Sequence, residues 1–436
     1  MAQPLKLLHV RGDLLSTWLM AKFLPLEESG FRQSCILRRD NRSPIPEGYP
    51  LGLIRLRGTA RIGDLVSGLW PRNLLISRSF EREYCYGLER HLTDFDLIRS
   101  AEIHYPFTWQ CVRAHRRGLA PPVVVTVHEN LPHIWGYKPK ARAFIEETRR
   151  GAGLFIAVSR YSAQLCRQEG IEEERIRVGG NAVDLERFRP GEAEPSLRSE
   201  LAADPESFLV LVLGRLTWEK GQRDLIHAVH ALRLRGVRVS AAVVGTGEDG
   251  DWLRRLISLY GLGDAVRLMG GIPYDRVPAL LQSVDCLIQP SLPAPRWQEQ
   301  FGMAALEAMA CGKPVITTPT GGIPEVVGDA GLYFTPGKYT ELAELIQRLE
   351  SEPDLRDDLA GRGLERARLF SLPVIASRSS SAFLRAWRSS SNCVASSPAV
   401  GPVGSGSGVV SPSGETTFSD SAITVTPSRI LLDPER

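Results

Sequence analysis

The chain has 436 residues, 43% hydrophobic and 24% charged, with a formal net charge of +3. That length holds two domains of roughly 150–200 residues plus extensions, and so small a net charge marks no nucleic-acid partner. No run approaches the roughly 18 apolar residues of a membrane span, and seven cysteines without a CxxC pair fit reduced thiols rather than a disulfide framework.

The first apolar run, MAQPLKLLHV, ends at Arg11 and Asp13. It is too short for a signal peptide, so the expected location is cytoplasmic. Residues 1–150 hold 23 Lys/Arg against 15 Asp/Glu. Two readings stand side by side: an arginine-rich composition, or a basic face for peripheral contact with an anionic membrane.

In chain order, Leu5–Val10 reads as a strand and Ser16–Ser29 as a helix with Trp18, Leu19, Phe23 and Leu26 on one side. Phe31–Leu37, Asp96–Ile98, Val123–Val127 and Leu154–Val158 are further strand candidates, with helical stretches near 108–118, 141–150 and 160–169. This alternation predicts a doubly wound parallel α/β sheet. GGNAVDLERFRP, residues 179–190, is the expected hinge. A second set of strands follows at Phe208–Leu213, Val239–Gly245, Val266–Met269, Asp285–Gln289, Val315–Thr317 and Leu332–Phe334, with helices between and a closing helix at Leu372–Trp387. From Ser389 the chain turns rich in Ser, Gly and Pro, a composition that cannot offset its ordering entropy. The expected organisation is a first domain at 1–180, a hinge at 181–195, a second domain at 196–370, a closing helix at 371–388 and a disordered tail at 389–436.

The most informative stretch is EQFGMAALE, bracketed by Glu299 and Glu307. Two carboxylates eight positions apart on a helix lie roughly 12 Å apart along its axis. The uncharged FGMA between them leaves the N–H groups of an opening helical turn free for an anion. A nucleotide sugar, with hydroxyls at both ends and phosphates between, is complementary to such a segment. Arg215 follows the strand FLVLVLG, and Lys220 stands at the next helix start. Ligands in open α/β sheets bind at the carboxyl ends of strands, where two cations can neutralise a diphosphate.

EQFGMAALEAMACGKPVI resembles the Glu-x7-Glu signature of the retaining GT-B-fold glycosyltransferases of family 4 (glycosyl transferases group 1). GRLTWEKG at 214–221, VVGTGED at 243–249, RLMGGIP at 267–273, QPS at 289–291 and TPTGGIPEVV at 318–327 follow the family order. The resemblance covers about 170 residues of the second half. It implies a GT-B architecture, two Rossmann-like domains facing each other across a cleft. It also implies transfer of a hexose from a nucleotide-diphosphate sugar to an acceptor hydroxyl, with retention and without a metal or other cofactor.

By the same resemblance Glu299 approaches the donor sugar, with Gln300, Phe301, Gly302 and Met303 beside it. Glu307 takes the ribose hydroxyls. Arg215 and Lys220 meet the diphosphate, and Thr320, Gly321 and Gly322 close on it. Gly245 and Gly247 shape the nucleotide pocket, while Gly270 and Ile272 meet the base. His128, at the end of VVVTV, is the first-domain candidate near the sugar, and His133 a weaker one. The Gly-Gly loop usual near the N-terminus is replaced by VRGDLLSTW, with Gly12 alone. Asp94-Phe95-Asp96 and Asp249-Gly250-Asp251 spell DxD but sit before a buried strand and at a helix start, so neither is expected to hold a metal. Two alternatives share the fold: a non-catalytic nucleotide-sugar-binding protein, and a sugar epimerase or hydrolase. The donor sugar, base and acceptor (glycan, lipid-linked or small molecule) are not readable from these residues.

Overall fold

Strands buried under helices on both faces read as continuous apolar runs, and VVVTV at 123–127, buried at all five positions, is the plainest case. The computed structural model describes residues 3–13, 15–41, 43–58, 84–132, 139–202, 204 and 206–395. The first sheet comprises β1 (Leu5–Val10), β2 (Phe31–Arg38), β3 (Gly52–Gly58), β4 (Cys85–Tyr86), β5 (Leu97–Ala101), β6 (Val123–Val127), β7 (Leu154–Ala157) and β8 (Ile176–Val178). Their order is β4-β3-β2-β1-β5-β6-β7-β8, parallel except for the β3–β4 pair. The second comprises β9 (Phe208–Leu213), β10 (Val239–Val244), β11 (Val266–Gly270), β12 (Cys286–Gln289), β13 (Val315–Thr317) and β14 (Leu332–Tyr333), in the order β11-β10-β9-β12-β13-β14.

Both sheets reverse direction of winding beside their first strand, between β1 and β5 and between β9 and β12. A crevice opens at the carboxyl ends of the strands at each such point. This is the α/β architecture of two doubly wound sheets anticipated above.

The stretch Ser16–Ser29 departs from the expected single helix. It forms α1 (Thr17–Ala21) and then a 3₁₀ turn at Leu24–Glu27. Pro25 has no N–H for an α-helical bond, and its ring crowds the preceding turn. The break rotates the faces: Met20, Phe23 and Leu26 are buried, while Trp18 is exposed.

The chain crosses from the first sheet to the second near Val183 and returns beside the same point. Val183 N–H donates to Phe370 O at 2.9 Å, and Val183 pairs with Ser371 in a parallel bridge. Among the later helices, α2 (Gln222–Leu234) and α3 (Met303–Ala310) serve the second sheet. The last of the described helices, α4 (Leu372–Ala395), lays Ala376, Phe383 and Ala386 into the first sheet's core with Leu7, Phe23 and Phe31. It runs on past Trp387 and Ser389, whose Oγ donates to Arg385 O one turn back, so the expected boundary at 388 falls inside a helix. Residues 396–436 lie outside the described residues, as does His133. No described helix is long and apolar enough to cross a membrane.

Candidate active site

The carboxyl ends of both sheets border one cavity of about 1100 Å³. From the first sheet it receives Arg11 after β1, Glu102 after β5 and His128 after β6; from the second, Arg215 after β9, Thr246 after β10 and Ser291 after β12. Parallel strands deliver these ends to the same side, which brings together residues distant in the chain.

Glu299 and Glu307 both line the cavity, but they do not share a helix, contrary to the expectation from their spacing. α3 begins only at Met303, after Gly302 at φ +102°. That left-handed backbone is open to glycine and strained for other residues. It turns the chain so that Glu299 stands in the preceding loop. The first turn of α3 holds no acidic residue, and Met303 and Ala304 face the cavity. The Ala305 N–H is already taken by Gln289 Oε1 at 3.2 Å.

Glu299 is held from two sides. Lys220 Nζ lies 2.7 Å from its Oε2, and Ser291 Oγ donates to the same oxygen at 3.1 Å. Lys220 also sits 4.7 Å from the centre of the Trp297 ring. Arg215 is freer: its side chain is 63% exposed, with Glu219 3.6 Å away. The Arg215 carbonyl accepts from Gln222 Nε2 at 2.6 Å, which fixes the backbone.

Glu307 is 5% exposed and accepts from Tyr274 Oη at 2.7 Å. Burial raises its pKa to about 7, against the opposing effects of the Tyr274 hydroxyl and of Arg187. Arg187 stacks 4.5 Å above the Tyr274 ring and donates to the Tyr274 carbonyl at 2.7 Å.

Across the cavity, His128 Nδ1 lies 2.9 Å from Glu102 Oε1, and the His128 backbone N–H donates to that oxygen at the same distance. Burial lowers the His128 pKa to about 4, more than the carboxylate raises it. The ring is therefore neutral near pH 7, with its proton on Nδ1 facing Glu102 and Nε2 as its acceptor. Burial pushes Glu102 up, but the hydrogen bonds it accepts from the His128 ring and backbone outweigh this and hold it below the usual carboxylate range. Glu102 is the only non-glycine residue with positive φ, +58°, among the described residues. Such backbone strain concentrates at functional sites. Glu102 was not singled out from sequence; the one signal was an acid directly after a buried strand.

The remaining candidates divide. Gly245, Ile272, Gln300, Phe301, Gly302 and Met303 line the cavity, whereas Gly247, Gly270, Thr320, Gly321 and Gly322 are not on its wall. The 320–322 turn buttresses the Glu299 loop instead. Thr320 Oγ1 donates to Ser291 O at 3.1 Å, and Gly322 N–H to Glu299 O at 2.8 Å. A Cβ on Gly321 would stand 2.0 Å from the Glu299 carbonyl, so no larger residue fits without moving that loop. The first-sheet side reaches the same carbonyl: Asn130 Nδ2 donates to Glu299 O at 2.9 Å. Asp96 Oδ2 accepts from the Lys6 N–H, and Asp251 pairs with Arg254, so each DxD has an acid engaged within the protein. Asp249 caps its helix by position without a side-chain hydrogen bond. No cluster of three or more metal-ligating side chains occurs among the described residues.

Comparison with known proteins accords with this geometry. Residues 26–187 match the pattern of Glycosyltransferase Family 4 and residues 194–366 that of Glycosyl transferases group 1. The chain is 30% identical over 293 residues to a D-inositol 3-phosphate glycosyltransferase of Frankia alni, covering 63% of this chain and 70% of that protein. It is 31% identical over 209 residues to a 2-deoxystreptamine glucosyltransferase of Streptomyces kanamyceticus, covering 47% and 53%. Against a D-inositol 3-phosphate glycosyltransferase of Streptomyces bingchenggensis it spans 57% of the relative's length, at 30% identity and over 58% of this chain. The fold resembles that of Anabaena HepE, solved in complex with UDP, with a TM-score of 0.69 at 22% identity over 87% of this chain and 99% of that one. It also resembles a Thermosynechococcus elongatus sucrose-phosphate synthase, with a TM-score of 0.66 at 22% identity over 91% and 100%. With matching patterns on both halves and relatives at this identity, the chain belongs to glycosyltransferase family 4.

Proposed function

We propose that this protein transfers a hexose from a nucleoside-diphosphate sugar to an acceptor hydroxyl, with retention of configuration. The observation that carries the reading is the Lys220–Glu299 pair, set beside Arg215 and the first turn of α3 and opposed by the His128–Glu102 pair. A donor diphosphate would lie between Arg215, Lys220 and the Met303–Ala304 turn. Its growing negative charge on bond cleavage would be met by two cations and a helix N-terminus, and such preorganised charge acts more on the transition state than on the bound donor. Glu299 would turn from Lys220 to the sugar hydroxyls. Glu307 would receive the ribose diol, since a carboxylate has acceptor sites beyond the one Tyr274 uses. Neutral His128 would accept a hydrogen bond from sugar or acceptor through Nε2. The acceptor oxygen would attack on the face the diphosphate leaves. UDP-glucose, bound by the structurally similar HepE, is the first donor to try.

Calorimetric titration of UDP, GDP and ADP and their hexose conjugates tests the binding step. Proton NMR of the product's anomeric signal then tests the stereochemistry. An inverted product, or no nucleotide bound at millimolar concentration, overturns the reading.

A further inference from the structure

The loop that follows β9 serves two cavities. Arg215 and Lys220 line the large one, while Trp218, between them in the chain, lines a second of about 200 Å³. Gln222, Arg223, Asp249, Trp252 and Leu253 complete the second wall. Trp218 is 49% and Trp252 47% exposed. Single exposed apolar side chains are ordinary, but two indoles open at one small hollow mark a binding surface.

Backbone pairing fixes the two indoles relative to each other. Trp252 belongs to the helix Gly250–Leu259, which follows β10. The Leu216 N–H donates to Thr246 O at 2.9 Å, and the Asp249 N–H to Leu216 O at 3.0 Å. A Cβ on Gly247 would stand 2.2 Å from the Leu216 carbonyl oxygen, so glycine there is what lets the two loops meet. Gly247, absent from the wall of the large cavity, thus shapes the second. Gln222 lies on the wall of both cavities.

The polar groups of the hollow suit a neutral sugar. Among the described residues the Asp249 carboxylate has no hydrogen bond or ion pair, and neither indole has a ring partner or an acceptor for its N–H. Arg223, 43% exposed, keeps only a 3.5 Å contact with Asp224. One carboxylate and one guanidinium leave the wall without net charge, which favours neither an anion nor a quaternary ammonium. An indole offers a flat apolar face and one N–H. A pyranose ring presents a flat face of C–H groups, and its rim carries hydroxyls that donate and accept at once. Adjacent hydroxyls can donate to Asp249 and accept from Arg223 while the ring lies on an indole. The volume is below the roughly 300 Å³ at which sites for drug-sized ligands begin, and suits a single ring.

We propose that this hollow binds one pyranose ring of a neutral glycan, at a second site apart from the transfer centre. The site goes beyond the glycosyl-transfer reading and does not depend on it. A glycan held there lies against the loop whose Arg215 and Lys220 line the large cavity, and so raises the local concentration of a sugar chain beside it.

The test uses the full-length chain labelled with 5-fluorotryptophan, its eight tryptophan signals assigned through single Trp→Phe variants. With UDP at saturation, the methyl glycosides of glucose, galactose, mannose and N-acetylglucosamine are titrated one at a time, and fluorine NMR is recorded. At least one should shift the Trp218 and Trp252 signals together and saturably. Trp18 and Trp297, on the wall of the large cavity, report that site separately. Trp252→Ala should abolish the Trp218 response and keep wild-type UDP affinity. Asp249→Asn should weaken the glycoside about fivefold, the loss expected for one charge-assisted hydrogen bond made weaker.

If none of the four glycosides moves the Trp218 and Trp252 signals, the proposal is overturned; this arm needs no alanine variant to fold. A Trp218 response that survives in Trp252→Ala also overturns it. So does a tighter response of the same two signals to adenosine or to tetramethylammonium, which would make the hollow a site for a base or a cation. Absence of any UDP response would count against the glycosyl-transfer reading alone, since the glycoside titration runs equally well without UDP.

Discussion

Lys220 Nζ and Glu299 Oε2 are 2.7 Å apart, joining the first turn after β9 to the loop after β12, with side chains only 20% and 13% exposed. The two residues proposed to handle the diphosphate and the sugar of a donor thus neutralise each other in this structure. Each holds the other's rotamer, and on the proposed reading a diphosphate arriving on Lys220 would release Glu299 toward the sugar.

Lys220→Ala should lower kcat by about 10²–10³, the usual loss for one preorganised donor to a developing anion. Glu299→Ala should lower kcat as well, and the double variant should be little worse than the poorer single one, since each change removes the same pair. Steady-state kinetics of the three variants checks this; multiplicative losses would separate the roles of the two residues.

Asn130→Ala should loosen closure of the cleft. Its side-chain amide donates to the Glu299 carbonyl from the first-sheet side, a bond typically worth about 1 kcal/mol. Donor-induced compaction, read by small-angle X-ray scattering, should shrink, and kcat/KM should fall about fivefold. Unchanged compaction would confine Asn130 to a local role.

Glu307 should impose a pH slope on stability. Its pKa is raised to about 7 in the folded protein, against about 4.3 in an unfolded chain. Between these values the native state binds the extra proton, so stability is greatest at the acid end and falls as pH rises through 7. The full effect is on the order of 4 kcal/mol. Urea melts at pH 5 and pH 8 should differ less for Glu307→Gln than for wild type. Tyr274→Phe removes a hydrogen bond that favours the carboxylate and should push the midpoint higher.

His128 should run in the opposite sense. With its folded pKa lowered to about 4, its stabilising contribution is full above about 6.5 and is lost as pH falls toward 4. The imidazole carbon-bound proton signals of His128 should titrate near 4. A midpoint near 6.5 would contradict a neutral Nδ1–H donor to Glu102.

The second sheet and five strands of the first were legible in sequence because most of those strands are apolar runs spaced by helices, whereas β3, β4 and β8, short or interrupted by arginine, were not read. Arg215 and Lys220 were singled out because strand ends locate ligands in such folds, and Glu299 and Glu307 because EQFGMAALE resembles a family signature; all four line the same cavity. What sequence spacing hid was contact across long separations. Asn130 meets Glu299 169 positions away, and Tyr274 reaches Glu307 across 33. Glu102 gains meaning only once β5 and β6 lie side by side. The helix proposed to hold both glutamates failed on one backbone angle, at Gly302, which periodicity cannot register. Pro25 did carry its own warning, and a proline-aware reading would have split the Ser16–Ser29 helix.

The return of α4 to the first sheet governs how the molecule is made. Phe383 rests 6.3 Å from Phe23 and 6.1 Å from Phe31, ring centre to ring centre, inside a core begun by the first strands. A nascent chain released up to the Val183 crossover therefore carries an uncovered apolar face on its first sheet until α4 leaves the ribosome. The second sheet, closed within 208–333, can consolidate in that interval. A fragment ending near residue 190 should accordingly aggregate, while the same fragment supplied with a peptide spanning 372–395 should stay in solution.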